Sequence, residues 1–161
     1  MADRVQYIAK PSQAERDAFL DESPDQGRQR VNPGGLEREP RFAPTVSKNN
    51  HPTLKSIKLN KYLAGLLLPP EKYAPRRILV PFSGSGSEII GCLLAGWEEV
   101  IGIEKEETYY RIAQARVSGW AAEIAAGVTD VDAILEGYLN RVQKETQGQA
   151  SLFDLSEARQ L

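Results

Sequence analysis

Arg77-Ile78-Leu79-Val80-Pro81-Phe82-Ser83-Gly84-Ser85-Gly86-Ser87 is the stretch on which the fold turns. Its first four residues form a short apolar run that reads as a buried strand. Residues 81–86 are a glycine–serine turn, and residues 87–95 read as a helix. Gly96 stands where a helix C-terminus takes a left-handed residue. Val100-Ile101-Gly102-Ile103 is a second buried strand, and residues 108–120 have the spacing of an amphipathic helix. Strand, turn, helix, strand and helix in this order make a βαβ unit, and therefore an α/β fold with a partial, doubly wound (Rossmann-like) parallel sheet.

Upstream, Leu54, Ile57, Leu59, Leu63, Leu66 and Leu67 recur at helical spacing until Pro69-Pro70 stops the helix. Residues 4–9 alternate polar and apolar side chains, as a short strand does. Ser12 with Glu15 has capping-box spacing, which predicts a helix over 12–20. Residues 23–44 hold four prolines and three glycines, so a long irregular segment is expected there. Downstream, residues 131–142 read as a last helix, followed by a polar tail. The organisation is thus an N-terminal part (1–47), an α/β region (48–143) and a flexible tail (144–161).

Composition narrows the class. The 161 residues are 41% hydrophobic and 26% charged, as in globular proteins, which excludes collagen-like and fully disordered chains. The single cysteine, Cys92, cannot form an internal disulfide, and no secretory signal follows Met1-Ala2-Asp3-Arg4. A cytoplasmic protein is expected, with no membrane partner, because no apolar run is long enough to span a bilayer. Cys92, among Ile89, Ile90, Leu93 and Leu94, reads as a buried structural residue. Trp97 and Trp120, at helix ends, read as packing residues. Net charge is −2, so the molecule is no polycation. Charge is nevertheless uneven: residues 51–80 carry six basic side chains against Glu71 alone, and residues 81–110 carry Lys105 against six glutamates. The basic block, with Lys58, Lys61, Arg76 and Arg77, is either a polyanion footprint or a solvated helix face and loop.

The turn carries the chemistry. Glycines there let backbone amides approach a ligand at the positive end of a helix. Glu104 closes the next strand, 20 residues after Gly84, a spacing that suits the two hydroxyls of an adenosine ribose. Together these features point to a nucleoside-containing cofactor; the bland alternative is a plain turn beside a solvated glutamate. Ile89 occupies the place of the third glycine of a dinucleotide fingerprint, and a Gly-Lys-Ser/Thr ending is absent, which disfavours NAD and ATP.

The sequence resembles the DNA amino-methyltransferases that make N6-methyladenine or N4-methylcytosine, in the circular order that places the cofactor motifs after the catalytic one. The match rests on His51-Pro52-Thr53-Leu54-Lys55-Ser56, then Val80-Pro81-Phe82-Ser83-Gly84-Ser85-Gly86-Ser87, then Gly102-Ile103-Glu104 with Tyr109, and covers about residues 48–118. Tyr7-Ile8-Ala9-Lys10-Pro11-Ser12 and Glu15-Arg16 also look like the segment that precedes these motifs. The resemblance implies an S-adenosyl-L-methionine site. Pro81 leads into a loop, Phe82, Ser83, Gly84, Ser85 and Gly86, that would wrap the methionine half. Glu104 would hold the ribose hydroxyls, and Thr53 and Lys55 would close over the methionine carboxylate. His51, the only histidine, reads as a loop-shaping residue, since one histidine makes no metal cluster. Of the adjacent Tyr109 and Tyr110, at most one points toward the cofactor. Two residues depart from the family pattern: Val80 stands where an Asp is usual, which removes an acceptor for the cofactor's amino group, and Ser56 replaces a Pro.

The family's catalytic Asp/Asn/Ser-Pro-Pro-aromatic motif is missing. Leu68-Pro69-Pro70-Glu71 has no polar residue before it and no aromatic after it, so it reads as a helix stop. No catalytic residue and no metal ligand is therefore assigned. The chain resembles the cofactor-binding, C-terminal half of such an enzyme. It is expected to act on DNA with a second chain that carries the catalytic motif, or after self-association that covers its open sheet edge. The competing reading is a non-catalytic remnant serving as a DNA- or clamp-binding scaffold. In the tail, Gln149-Ala150-Ser151-Leu152-Phe153 resembles the short peptide by which bacterial DNA-processing proteins dock on the replication sliding clamp.

Overall fold

The structure, a computed structural model, describes residues 10–20 and 48–157, with side chains up to residue 148. The element order is α1 (Gln13–Asp17), α2 (Ile57–Leu67), a 3₁₀ turn (Glu71–Tyr73), β1 (Arg77–Val80), α3 (Ser87–Ala95), β2 (Glu99–Gly102), α4 (Glu107–Ala125) and α5 (Val131–Glu157). It is an α/β arrangement of one two-stranded parallel sheet and several helices. The strand expected over residues 4–9 and the irregular segment over 23–44 lie outside the described residues.

The sheet pairs Arg77 with Glu99, Ile78 with Val100, Leu79 with Ile101 and Val80 with Gly102. Successive side chains leave opposite faces. On the inner face Val80 is buried with Ala64, Cys92 and Trp97, and Ile78, Ile89 and Val100 pack around them. On the outer face Leu79 and Ile101 remain 55% and 59% exposed.

Helix α3 is the centre of the molecule because both of its flanks are apolar. Cys92 and Ile89 face the sheet, while Ile90 and Leu94 join Ile57, Trp120, Val131 and Ile134 in a second core. Gly91 makes the contact with α2 possible: a Cβ there would stand 2.5 Å from Asn60 Cβ. Helix α2 buries Ile57, Asn60 and Ala64, one face at helical spacing, and Trp97 donates its indole N–H to the Ala64 carbonyl at 3.0 Å. Leu68, extended before Pro69-Pro70, is its C-cap, so the only Pro-Pro pair is a helix stop. Both tryptophans are packing residues, at 8% and 0% exposure.

Three helices depart from the sequence reading, and the second strand runs over 99–102 instead of 100–103, with both strands largely exposed where buried ones were expected. The helix expected over 12–20 is shorter, because Ala18 leaves helical geometry and Phe19 adopts φ +63°. Helix α4 extends at both ends of the expected 108–120. The largest correction is α5, whose backbone stays helical through Glu157 where a tail was expected from residue 144. Its docked face, Val131, Ile134 and Tyr138, ends early, and none of the residues 139–148 is buried. At ~1.5 Å per residue the helix is about 40 Å long. Among the described residues, no helix is long and apolar enough to cross a membrane.

The two charge blocks prove to be partners. Lys55 pairs with Glu88, Arg76 with Glu98 and Arg77 with Glu99, while Lys58 pairs with Asp132. Lys61 donates to the Thr129 carbonyl, and Lys72 lies over the Tyr73 ring. All six cations of the basic block thus have intramolecular partners, most of them at the solvated surface.

Candidate functional site

The turn after β1 is built by backbone requirements first. Ser83 donates its amide to the Ile103 carbonyl at 2.9 Å, tying the turn to the end of β2. Gly84 has φ +52° and Gly86 φ +84°, conformations that L side chains rarely adopt. Gly84 is doubly constrained, since a Cβ there would stand 2.8 Å from His51 Nε2. Gly86 is the N-cap of α3 and supplies no side-chain cap, so the first-turn amides of α3 meet no capping oxygen.

Glu104 closes the site from the other strand. Its Oε2 accepts the Gly84 amide at 2.8 Å and its Oε1 accepts the Glu106 amide at 2.9 Å. One carboxylate therefore holds the glycine turn to the chain leaving β2, with further lone pairs left for a ligand. His51 lies edge-on against Tyr109, with ring centroids 4.6 Å apart, and Thr53 directs its amide toward His51 Nδ1 at 3.4 Å. Burial holds the imidazole below its ordinary pKa, against the opposing pull of Glu104 and Glu88. A neutral ring in these contacts shapes the loop, as the sequence suggested. Tyr109 is the tyrosine turned to the site; Tyr110 is 49% exposed.

A cleft of 230 Å³ lies between these parts, lined by His51, Thr53, Lys55, Gly84, Glu88 and Glu104, with Leu54, Phe82, Ser85 and Ser87. Of the residues singled out in the sequence, Thr53, Lys55, Phe82, Gly84, Ser85 and Glu104 come together at this cleft. Pro81, Ser83 and Gly86 build the turn without lining it. Lys55 reaches across to Glu88 at 3.3 Å. A larger apolar groove of 650 Å³, between α2 and the start of α5, contains none of these groups.

The sequence reading missed what holds the turn from behind. Arg116 of α4 is fully buried, and its guanidinium donates to the Ser85 carbonyl at 2.6 Å, the Ser87 hydroxyl at 3.1 Å and the Glu15 carbonyl at 3.2 Å. Burial lowers its pKa to about 10, with Glu15 and Asp17 opposing, so it stays charged at neutral pH. Asn49, also fully buried, donates to Ser85 Oγ and to the Arg16 carbonyl, and accepts the His51 amide at 3.1 Å. Ser12 caps α1 by accepting the Glu15 amide, as expected. The Glu15 carboxylate does not complete the box; it accepts the Ile57 amide at the start of α2 instead. Burial raises its pKa.

The remaining polar candidates are structural. Burial pushes the Cys92 thiol above its ordinary pKa, which leaves it a poor nucleophile. Among the described residues, no group of three or more His, Cys, Asp or Glu side chains is placed to hold a metal ion. No family model matches the chain, and neither a curated protein nor a solved structure matches it.

Proposed function

We propose that this chain is the cofactor-binding half of an S-adenosyl-L-methionine-dependent DNA amino-methyltransferase, acting on N6 of adenine or N4 of cytosine. The observation that carries the reading is convergence: three sequence segments, at 51–55, 82–88 and 104, supply the walls of one cleft. The groups fit the cofactor in kind. Glu104 offers carboxylate lone pairs to ribose hydroxyls, Lys55 offers a cation to a carboxylate, and Gly84 lets the turn's backbone pack against His51 more closely than a Cβ would allow. When bound, the cofactor would supply an electrophilic methyl group; this chain's residues bind and orient it.

The cleft is smaller than the ~300–1,000 Å³ of a complete ligand pocket, which agrees with walls contributed from elsewhere. The outer sheet face argues the same way. Parallel sheets bury both faces, yet Leu79, Ile101 and Ile103 are all more than half exposed. The reading places β1 and β2 inside a larger doubly wound sheet, completed by a polypeptide that carries the catalytic Asp-Pro-Pro-aromatic motif. That motif is not among these 161 residues. A sliding clamp is a further proposed partner through Gln149–Phe153, and docking an extended peptide there requires the end of α5 to unwind.

The test is titration calorimetry with S-adenosylmethionine. Glu104→Ala leaves ribose hydroxyls without their acceptor, at roughly 1–3 kcal/mol, or about ten- to a hundredfold in affinity. Unchanged affinity removes the assignment. Alone, the chain should transfer no methyl group to DNA, whereas addition of a chain bearing the catalytic motif should produce methylated exocyclic amines.

A further inference from the structure

The cofactor reading leaves one charge without a host. An α-amino acid head carries an ammonium and a carboxylate on one carbon, and a site that recognises it needs an anion and a cation side by side. Val80, the last residue of β1, is buried among Ala64, Cys92 and Trp97. Its side chain accepts nothing. Two carboxylates line the cleft. Glu104 is committed to the turn by two backbone amides. Among the described residues Glu88 pairs with Lys55, its side chain is 32% exposed, and it projects from the first turn of α3.

We infer that Lys55 and Glu88 together form the amino-acid head site, with Glu88 taking the ligand's ammonium and Lys55 its carboxylate. The inference rests on the cofactor reading above and deepens it: Glu88 becomes the residue that selects a zwitterionic amino-acid head over a bare nucleoside. At 3.3 Å the two side chains neutralise each other. An exposed pair of this kind contributes little to stability, so it is exchanged at little cost for two ion pairs with a zwitterion. The pair thus guards the site in the free protein and opens when the matching head arrives. Glu88 stands over the first turn of α3, whose positive end faces the pair.

Calorimetric titration with two probes tests the assignment: S-adenosylmethionine, and 5′-methylthioadenosine, which shares the nucleoside but lacks the amino-acid head. Glu88→Gln is expected to lose tenfold or more in affinity for the first and to keep wild-type affinity for the second. Glu104→Gln is expected to lose both. The exchanged pair Lys55→Glu/Glu88→Lys separates recognition from structure. It restores the ion pair and the melting temperature, and is expected not to restore binding. Equal affinity of wild type and Glu88→Gln for S-adenosylmethionine overturns the head site and leaves the cofactor reading standing, as does recovery of binding in the exchanged variant. Failure of the wild-type chain to bind either probe overturns the cofactor reading and the head site with it.

Discussion

The glycine–serine turn has two sides built on opposite principles. Behind it, Arg116, Asn49, Ser85 and Ser87 are all buried, and their hydrogen bonds are directed at one another and at the backbone of α1. In front, Lys55 and Phe82 are exposed, Glu88 and Glu104 are half-buried, and the one side-chain ion pair is solvated. Buried polar groups without partners are costly, so the rear has one arrangement. Solvated groups change partners cheaply, so the front is free to meet a ligand. The difference separates residues that make the turn from residues that use it.

Substitutions on the two sides should therefore fail differently. Arg116→Met is expected to have the largest effect. It strands the Ser85 carbonyl and the Glu15 carbonyl in the interior, each at roughly 1–3 kcal/mol, so urea unfolding should show a loss of about 3 kcal/mol. If its stability matches wild type, the rear network is not what sets the turn. Gly84→Ala comes next. A non-glycine residue in the left-handed region costs about 1–2 kcal/mol, and the added methyl also meets His51. Adding His51→Ala should recover the steric part and leave the backbone part, a split read directly in a double-mutant cycle.

His51 sits between the two sides and gives a pH signature. Its folded pKa lies below its ordinary 6.5, so the unfolded chain takes up a proton first as pH falls. Stability should be full above pH 6.5 and decline below it, down to the folded pKa. As the chain has one histidine, an NMR titration reads the ring without ambiguity. A midpoint at or above 6.5 contradicts the burial described here. The smallest effect belongs to the surface: Lys58→Gln breaks the pair with Asp132 and should cost less than about 1 kcal/mol in the same urea experiment.

Where information was local, the sequence showed the structure. Strand 77–80 and helix 87–95 are bounded by Pro81, the glycine turn and Gly96, and they run as read. The end of α5 was not legible, because residues 143–157 contain no proline to stop a helix. The front of the site was legible for a similar reason, since Phe82, Gly84 and Glu104 lie close along a βαβ unit. The rear was not. Arg116 reads as a solvent-facing arginine of an amphipathic helix, although it shares a stripe with Ile112, Ala113 and Trp120, and that spacing was the available signal. Glu15 and Asn49 gave none, because their partners lie 42 and 36 residues away.

Those separations bear on how the molecule assembles. Arg116 meets Glu15 across 101 positions of chain, and Asn49 joins Arg16 of α1 to Ser85 of the glycine–serine turn. Loop closure over such distances must precede the contacts that reward it, which makes them slow to form. The turn can be completed only after both ends of the described chain have met around it. A nascent polypeptide that has emerged as far as α3 already contains the whole glycine motif, yet it has no arginine to set it. On the proposed cofactor reading, binding should thus arrive late during synthesis, once α4 is free to fold back.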